Sequence, residues 1–179
     1  MTAFDWIRMG IFTTISVGIL RFSWDALLDL RSYRFYRCLA FEIILAMVLI
    51  NLPIWFRMPF AAMQLVSWVL LAASAGLALH GFSLLRAMGK PVDSIEGTTR
   101  LVESGAYRYI RHPLYASLLY FAWGVFFKAP SLLNAGLTIA ASLALYLTAV
   151  NEEGENLERF GESYRAMMSR TKRFIPFIF

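Results

Sequence analysis

The chain has one cysteine and two histidines among its 179 residues. A lone Cys38 excludes an intrachain disulfide and any site built from clustered thiolates. It reads as a small buried apolar side chain. His80 and His112 are separated by a polar connection, too thin a set for a histidine-rich centre, so no metal is expected. No Gly-x-Gly-x-x-Gly follows a strand-like run, no phosphate-binding Walker loop occurs, and there is no Gly-x-Ser-x-Gly elbow. Proline and glycine are sparse, at six and eleven, and no stretch resembles a Pro- or Ser-rich linker. One unit over residues 1–179 is therefore expected. No internal repeat or low-complexity tract is visible.

Charge is scarce as well. Only 16% of residues are charged, whereas 59% are hydrophobic and the mean hydropathy is +0.57. A soluble domain of this size rarely has that balance, but a multi-pass membrane protein does. Acidic residues are the scarcer sign, twelve against seventeen basic, for a net charge of +5. In a membrane chain an excess of Lys and Arg anchors loops against anionic lipid, so membrane lipids are the expected partner and nucleic acid is not.

The apolar runs predict an all-α fold with about five transmembrane helices. Residues 4–20 form the first, interrupted by Asp5 and Arg8; an interfacial helix is the alternative reading. Arg21-Phe-Ser-Trp follows it, with no small-x-small cleavage site. Residues 21–37 mix Trp24, Leu27, Leu28 and Leu30 with Asp25, Asp29, Arg31, Arg34 and Arg37, and read as an amphipathic segment on the membrane surface. Residues 38–56 make the second span, with Glu42 near its start. Residues 59–88 make a long third span holding Gln64 and His80. There Gly76, Gly81 and neighbouring alanines would let helices approach closely. Residues 89–112 are a polar connection, long enough to suggest function. Residues 113–127 are a short fourth span, and 131–150 a fifth after the Lys128-Ala-Pro130 turn. Residues 151–173 are polar and helical at first.

Loop charge sets an orientation. Arg21, Arg31, Arg34 and Arg37 lie in the first connection. Lys90, Arg100, Arg108 and Arg111 lie in the third, and five basic residues lie in the tail. The second and fourth hold only Arg57 and Lys128. This alternation fits five spans with the 89–112 connection and the C-terminus cytoplasmic. Glu42, Gln64 and His80 are polar residues inside spans. Each has a functional and a structural reading, and the structural one is favoured.

The chemistry concentrates in Gly105-Ala-Tyr-Arg-Tyr-Ile-Arg-His-Pro-Leu-Tyr115 and in Asn151-Glu-Glu-Gly-Glu155. Pro113 suits the first position of a helix, whose N–H has no intrahelical partner. Arg111 and His112 thus stand at a helix N-terminus, a place that favours an anion. The Glu pair falls where the fifth span runs out of apolar residues, at the same depth. A cationic pole, an anionic pole and aromatics between them suit a small zwitterionic ligand. The competing readings are a basic-aromatic headgroup belt and a solvated acidic helix face.

Leu101-Val-Glu-Ser-Gly-Ala-Tyr-Arg-Tyr-Ile-Arg-His-Pro-Leu-Tyr115 resembles the Arg-His-Pro-x-Tyr motif of the isoprenylcysteine carboxyl methyltransferase family and its phospholipid methyltransferase relatives. Glu152-Glu-x-x-x-Leu-x-x-Phe-Gly-x-x-Tyr164 resembles their second motif and Arg173-Phe-Ile-Pro176 their closing signature, so the match covers roughly residues 86–179. The resemblance implies methyl transfer from S-adenosyl-L-methionine to a lipophilic small-molecule or lipid acceptor. It implies a cofactor site of Thr99, Arg100, Leu101, Val102, Tyr107, His112, Pro113, Leu114, Tyr115, Glu152 and Glu153, with Arg111, His112 and Glu152 closest to the chemistry. Thr148 departs from the pattern: prenylcysteine enzymes carry an arginine there that is thought to face the substrate carboxylate. The acceptor class, whether carboxylate, amine or thiol, stays open.

Overall fold

The computed structural model describes residues 3–27, 32–56, 61–90 and 98–178. Its elements are α1 (Ala3–Phe22), the single turn α2 (Trp24–Leu27), α3 (Tyr33–Asn51), α4 (Ala62–Met88), α5 (Pro113–Phe126), α6 (Leu132–Phe160) and α7 (Glu162–Arg170). Among the described residues there is no strand, only an isolated parallel bridge between Ile110 and Lys172. Helices α1, α4 and α6, and α3 with the turn after it, are long and apolar enough to cross a membrane; α5 is a shorter apolar helix. The chain is a multi-pass membrane protein.

The helices alternate in direction. In α1, Arg8 donates to the Leu49 carbonyl at 3.2 Å, and the Ser16 hydroxyl donates to Glu42. Both contacts lie along α3, so α1 runs beside that span as a span does, and Glu42 serves to join the two helices. No residue of α1 is buried; among the described residues its main packing is against α3. At the far end Gln64 donates to the Lys128 carbonyl at 2.8 Å and Ser67 to the Gly124 carbonyl at 2.7 Å, which ties the start of α4 to the end of α5. Lys128 Nζ sits 3.3 Å from the centre of the Trp68 ring on this same end, a cation–π contact. Gln64 is therefore structural. Of the two glycines on α4, Gly81 packs on Pro113 and Leu114, but Gly76 meets nothing.

The second span starts earlier than its hydropathy suggests. Ser32 caps α3 by accepting from the Arg34 N–H at 3.3 Å, so residues 33–37 are helix and not a surface segment. Tyr33, Arg37, Ala40, Ile44, Met47 and Asn51 recur at helical spacing and all are buried. This stripe faces α6 in antiparallel register. Asn51 and Asn134 exchange amide hydrogen bonds at 2.9 and 3.1 Å. Thr138 lies against Met47, Ile44 shares a cluster with Ala141, and Ala40 shares one with Leu145. Residues 28–31, 57–60 and 91–97, including Leu28, Asp29, Leu30, Arg31 and Arg57, lie outside the described residues.

Helix α6 does not end with its apolar residues. It has 29 residues, whereas about 20 cross the hydrocarbon, and Asn151–Phe160 project beyond the span. Gly161 then takes φ 54°, ψ −127°, a backbone region open essentially to glycine. The chain turns there, and α7 folds back so that Tyr164 and Met167 pack with Val102 and Tyr107.

Candidate functional site

Three chain segments meet at the end where α4 stops, α5 starts and α6 projects. The first is the 3₁₀ turn Gly105–Arg108, which leads into the His112-Pro113 helix start. Gly105 has φ 56°, and a Cβ there would lie 2.5 Å from His80 Nε2 and 2.6 Å from Leu84 Cδ1. His80 thus packs under the turn that carries Tyr107, which is its structural duty. The second segment is the projecting end of α6. The third is the tail after α7, which pairs with the motif through its backbone. The Arg111 N–H donates to the Lys172 carbonyl at 2.7 Å, the Lys172 N–H to the Tyr109 carbonyl at 3.1 Å, and the His112 N–H to the Arg173 carbonyl at 3.2 Å.

Glu153 joins all three. Its Oε1 accepts from Arg111 Nε at 2.9 Å and from Arg173 Nε at 3.1 Å, and its Oε2 accepts from Arg173 Nη2 at 2.9 Å. Arg111 also donates to the Thr171 carbonyl at 2.5 Å. Burial acts to raise the Glu153 carboxyl, but the nearby His112 and the hydrogen bonds of Arg173 and Arg111 outweigh it and hold the group down at about 2. His112 Nε2 lies 3.4 Å from Glu153 Oε1, within ion-pair distance but out of hydrogen-bond alignment.

Beside this clamp is a cleft lined by Leu85, Thr98, Leu101, Val102, Tyr107, Arg111, His112, Leu114, Tyr115, Glu152, Asn156, Phe160, Tyr164 and Met167. It holds about 670 Å³ of empty space, open mouth included. His112 stacks on Tyr115, with ring centres 5.5 Å apart, and its Nδ1 is 3.9 Å from Glu152 Oε2. Tyr115 and Glu152 both line the cleft. Burial raises the Tyr107 hydroxyl far above its ordinary range, and the Glu152 charge adds to this; burial and Glu153 do the same to Tyr164. Both stay protonated and able to donate. His112 Nε2, Glu152 Oε2 and the Tyr164 hydroxyl are buried and have no hydrogen-bond partner among the described residues.

A model of the phospholipid methyltransferase family matches residues 62–163. That is more than half of the chain, and it spans the cleft from α4 to the projecting end of α6. The chain belongs to the phospholipid methyltransferase family. Membership carries methyl transfer at a membrane as the class of activity. No curated protein matches the chain.

Of the residues expected in the site of this family member, Leu101, Val102, Tyr107, Arg111, His112, Leu114, Tyr115 and Glu152 line one cleft. Thr99, Arg100, Pro113 and Glu153 do not. The Thr99 hydroxyl donates to the Lys90 carbonyl at 3.0 Å, and the Arg100 N–H to the Gly89 carbonyl at 3.2 Å, so both shape the connection. Pro113 is buried against Gly81. Glu153 is the clamp. Leu85, Thr98, Asn156, Phe160, Tyr164 and Met167 also line the cleft without having been expected there, although Phe160 and Tyr164 stand in the second motif. Glu152, Asn156 and Phe160 recur every four residues, a spacing that puts them on one helix face and could have revealed two of these.

Proposed function

We propose that the whole chain is one S-adenosylmethionine-dependent methyltransferase unit, acting on a lipophilic acceptor that reaches the cleft from the bilayer. The cleft and the C-terminus face the cytoplasm in this reading, which rests on the basic residues of the 89–112 connection and the tail. The observation that carries it is the set of three unpartnered buried polar atoms on one cleft, an imidazole nitrogen, a carboxylate oxygen and a phenol. These suit a ligand that has a carboxylate, an ammonium and hydroxyls.

S-adenosylmethionine supplies an electrophilic methyl group on a sulfonium. His112 and the N-terminus of α5 would hold its carboxylate. Glu152 would take its amino group or ribose hydroxyls, and the ring faces of Tyr107 and Tyr115 suit the sulfonium. Leu85, Leu101, Val102 and Met167 give the apolar walls that keep water from the transfer. What these residues do is bind and align; no covalent enzyme intermediate is required.

The family match favours a phospholipid amine among the acceptors, with a small thiol as the rival. Thr148 is buried and donates to the Ala144 carbonyl at 2.8 Å, so α6 presents no cation at that position. Poor turnover of farnesylcysteine is expected, with better turnover of an amine-bearing lipid. Calorimetric binding of the cofactor in detergent, followed by radiolabelled transfer to extracted lipids, tests the reading. No binding and no labelled lipid would leave a membrane scaffold of the same fold.

A further inference from the structure

A groove lies on the membrane side of α4, beside the cleft. Ala73, Gly76, Leu77 and His80 recur at helical spacing on one face of α4, and Tyr120 of α5 and Pro176 of the tail complete the lining. The groove holds about 750 Å³ of empty space, open side included. The Tyr120 hydroxyl donates to the Phe174 carbonyl at 3.2 Å, which fixes the tail against α5. A Cβ built on Gly76 has nothing within 4 Å, so the middle of the groove is unfilled by any described residue.

The groove has a direction. From Ala73 to His80 it covers about 10 Å of α4, at 1.5 Å per residue. Gly81 packs on Pro113 and Leu114, where α5 starts, so the His80 end lies at the depth of the cleft and the Ala73 end lies deeper in the span. The two spaces adjoin. Gly105 stands against His80 and Leu84, whereas Leu85 and Tyr107, the next residues along each segment to face inward, line the cleft. At the rim the tail turns, and the Ile178 N–H donates to the Ile175 carbonyl at 3.2 Å. Phe177 takes φ 67° there, a left-handed conformation that a bulky residue rarely adopts. Its ring is 81% exposed and 5.9 Å from that of Tyr109. Exposed aromatics of this kind sit at headgroup level. An apolar trough open to hydrocarbon, with its polar end at the site and an aromatic rim, has the polarity order of a phospholipid. A second groove, between α1 and α3, has its Asp5–Arg8 ion pair beside Leu49, at the opposite face from the cleft.

We propose that the groove between α4, α5 and the tail docks one acyl chain of the lipid acceptor, and that the headgroup then reaches the cleft past the Gly105 turn. This rests on the reading that a lipid is methylated in the cleft.

Gly76 permits the test, because a side chain there enters the groove without displacing any described neighbour. The full-length protein in dodecylmaltoside is given trace phosphatidylethanolamine with a diazirine in one acyl chain, photolysed, and the labelled residues are located by peptide mass spectrometry. Label at residues 73–80 and Tyr120, displaced by excess unlabelled phosphatidylethanolamine, is expected. Excluding two or three methylenes from the groove should lower that label about tenfold in Gly76→Phe. Gly76→Ala, which adds only the Cβ, should keep it. Both variants should melt as the wild type does and bind S-adenosylhomocysteine within about twofold of it, since the cleft is untouched. Methyl transfer to phosphatidylethanolamine should show a raised KM in Gly76→Phe with kcat little changed. Label spread over α1, α3 and α6, label unmoved in Gly76→Phe, or an unmoved KM in an active enzyme overturns the proposal. If the wild type transfers no methyl group, the functional reading fails, and the labelling alone still decides whether the groove docks a lipid chain.

Discussion

Glu152 and Glu153 point about 100° apart on α6, because that is the turn per residue of a helix. One lines the cleft and the other sits between two arginines. Different losses follow. Glu153→Gln keeps the shape but leaves Arg111 and Arg173 without their shared charge, so it should destabilise the fold by about 3 kcal/mol. The Glu153 carboxyl is held at about 2 in the folded protein, against about 4.3 when unfolded. Its depressed value means that the stabilisation is complete above about pH 4.3 and is lost as pH falls toward 2. Melting temperatures between pH 6 and 3 should fall for the wild type below about pH 4.5, and Glu153→Gln should start lower and fall less steeply. Parallel curves would mean that other carboxylates carry the acid sensitivity. At this scale the motif residues were readable from sequence, because Arg-His-Pro and Glu-Glu flank the ends of apolar runs. That Glu153 leaves the cleft for a clamp between two arginines was not, since that depends on where Arg173 folds back.

Among the elements, α3 and α7 are where sequence and structure part most. Tyr33 and Arg37 have the composition of a headgroup belt, and only the stripe running from Tyr33 to Asn51 shows that they face inward. The break after α6 is written in one residue. Gly161 adopts φ 54° with nothing within 4 Å of a Cβ built there, so Gly161→Ala costs backbone strain alone, about 1–3 kcal/mol. That turn aims Tyr164 and Met167 at the cleft. Gly161→Ala should therefore weaken cofactor binding severalfold beyond what its modest change in melting temperature accounts for. Unchanged affinity would mean that α7 contributes packing and no ligand contact. The four apolar runs from residue 38 onward were visible because a 20-residue helix must be apolar to cross lipid; packing against a neighbour leaves a fainter mark.

Across the whole molecule, helices of alternating direction bring the 3₁₀ turn, the end of α6 and the tail to one membrane face. Cysteines placed at Ser104 and Ser169 in a Cys38→Ser background should react with an impermeant thiol reagent from one side only, the cytoplasmic one. Labelling from opposite faces would contradict the antiparallel bundle; labelling of both from outside would reverse its orientation. The bundle also explains why three separated motifs form one site: Arg111, Glu153 and Arg173 clamp the face shut around the cleft.

The cleft as cofactor site is tested most directly by S-adenosylmethionine affinity in Glu152→Gln, His112→Ala and Glu155→Gln, each with a melting curve. Glu155 is exposed, about 60° round α6 from Glu152, and does not line the cleft. Loss of a charge-assisted hydrogen bond at Glu152 should cost about 1.5–3 kcal/mol, roughly ten- to hundredfold in affinity. His112→Ala should weaken binding as well, and Glu155→Gln should leave it within about twofold. Equal affinities in all three, or losses that merely follow melting temperature, would contradict a cofactor site at Glu152 and His112.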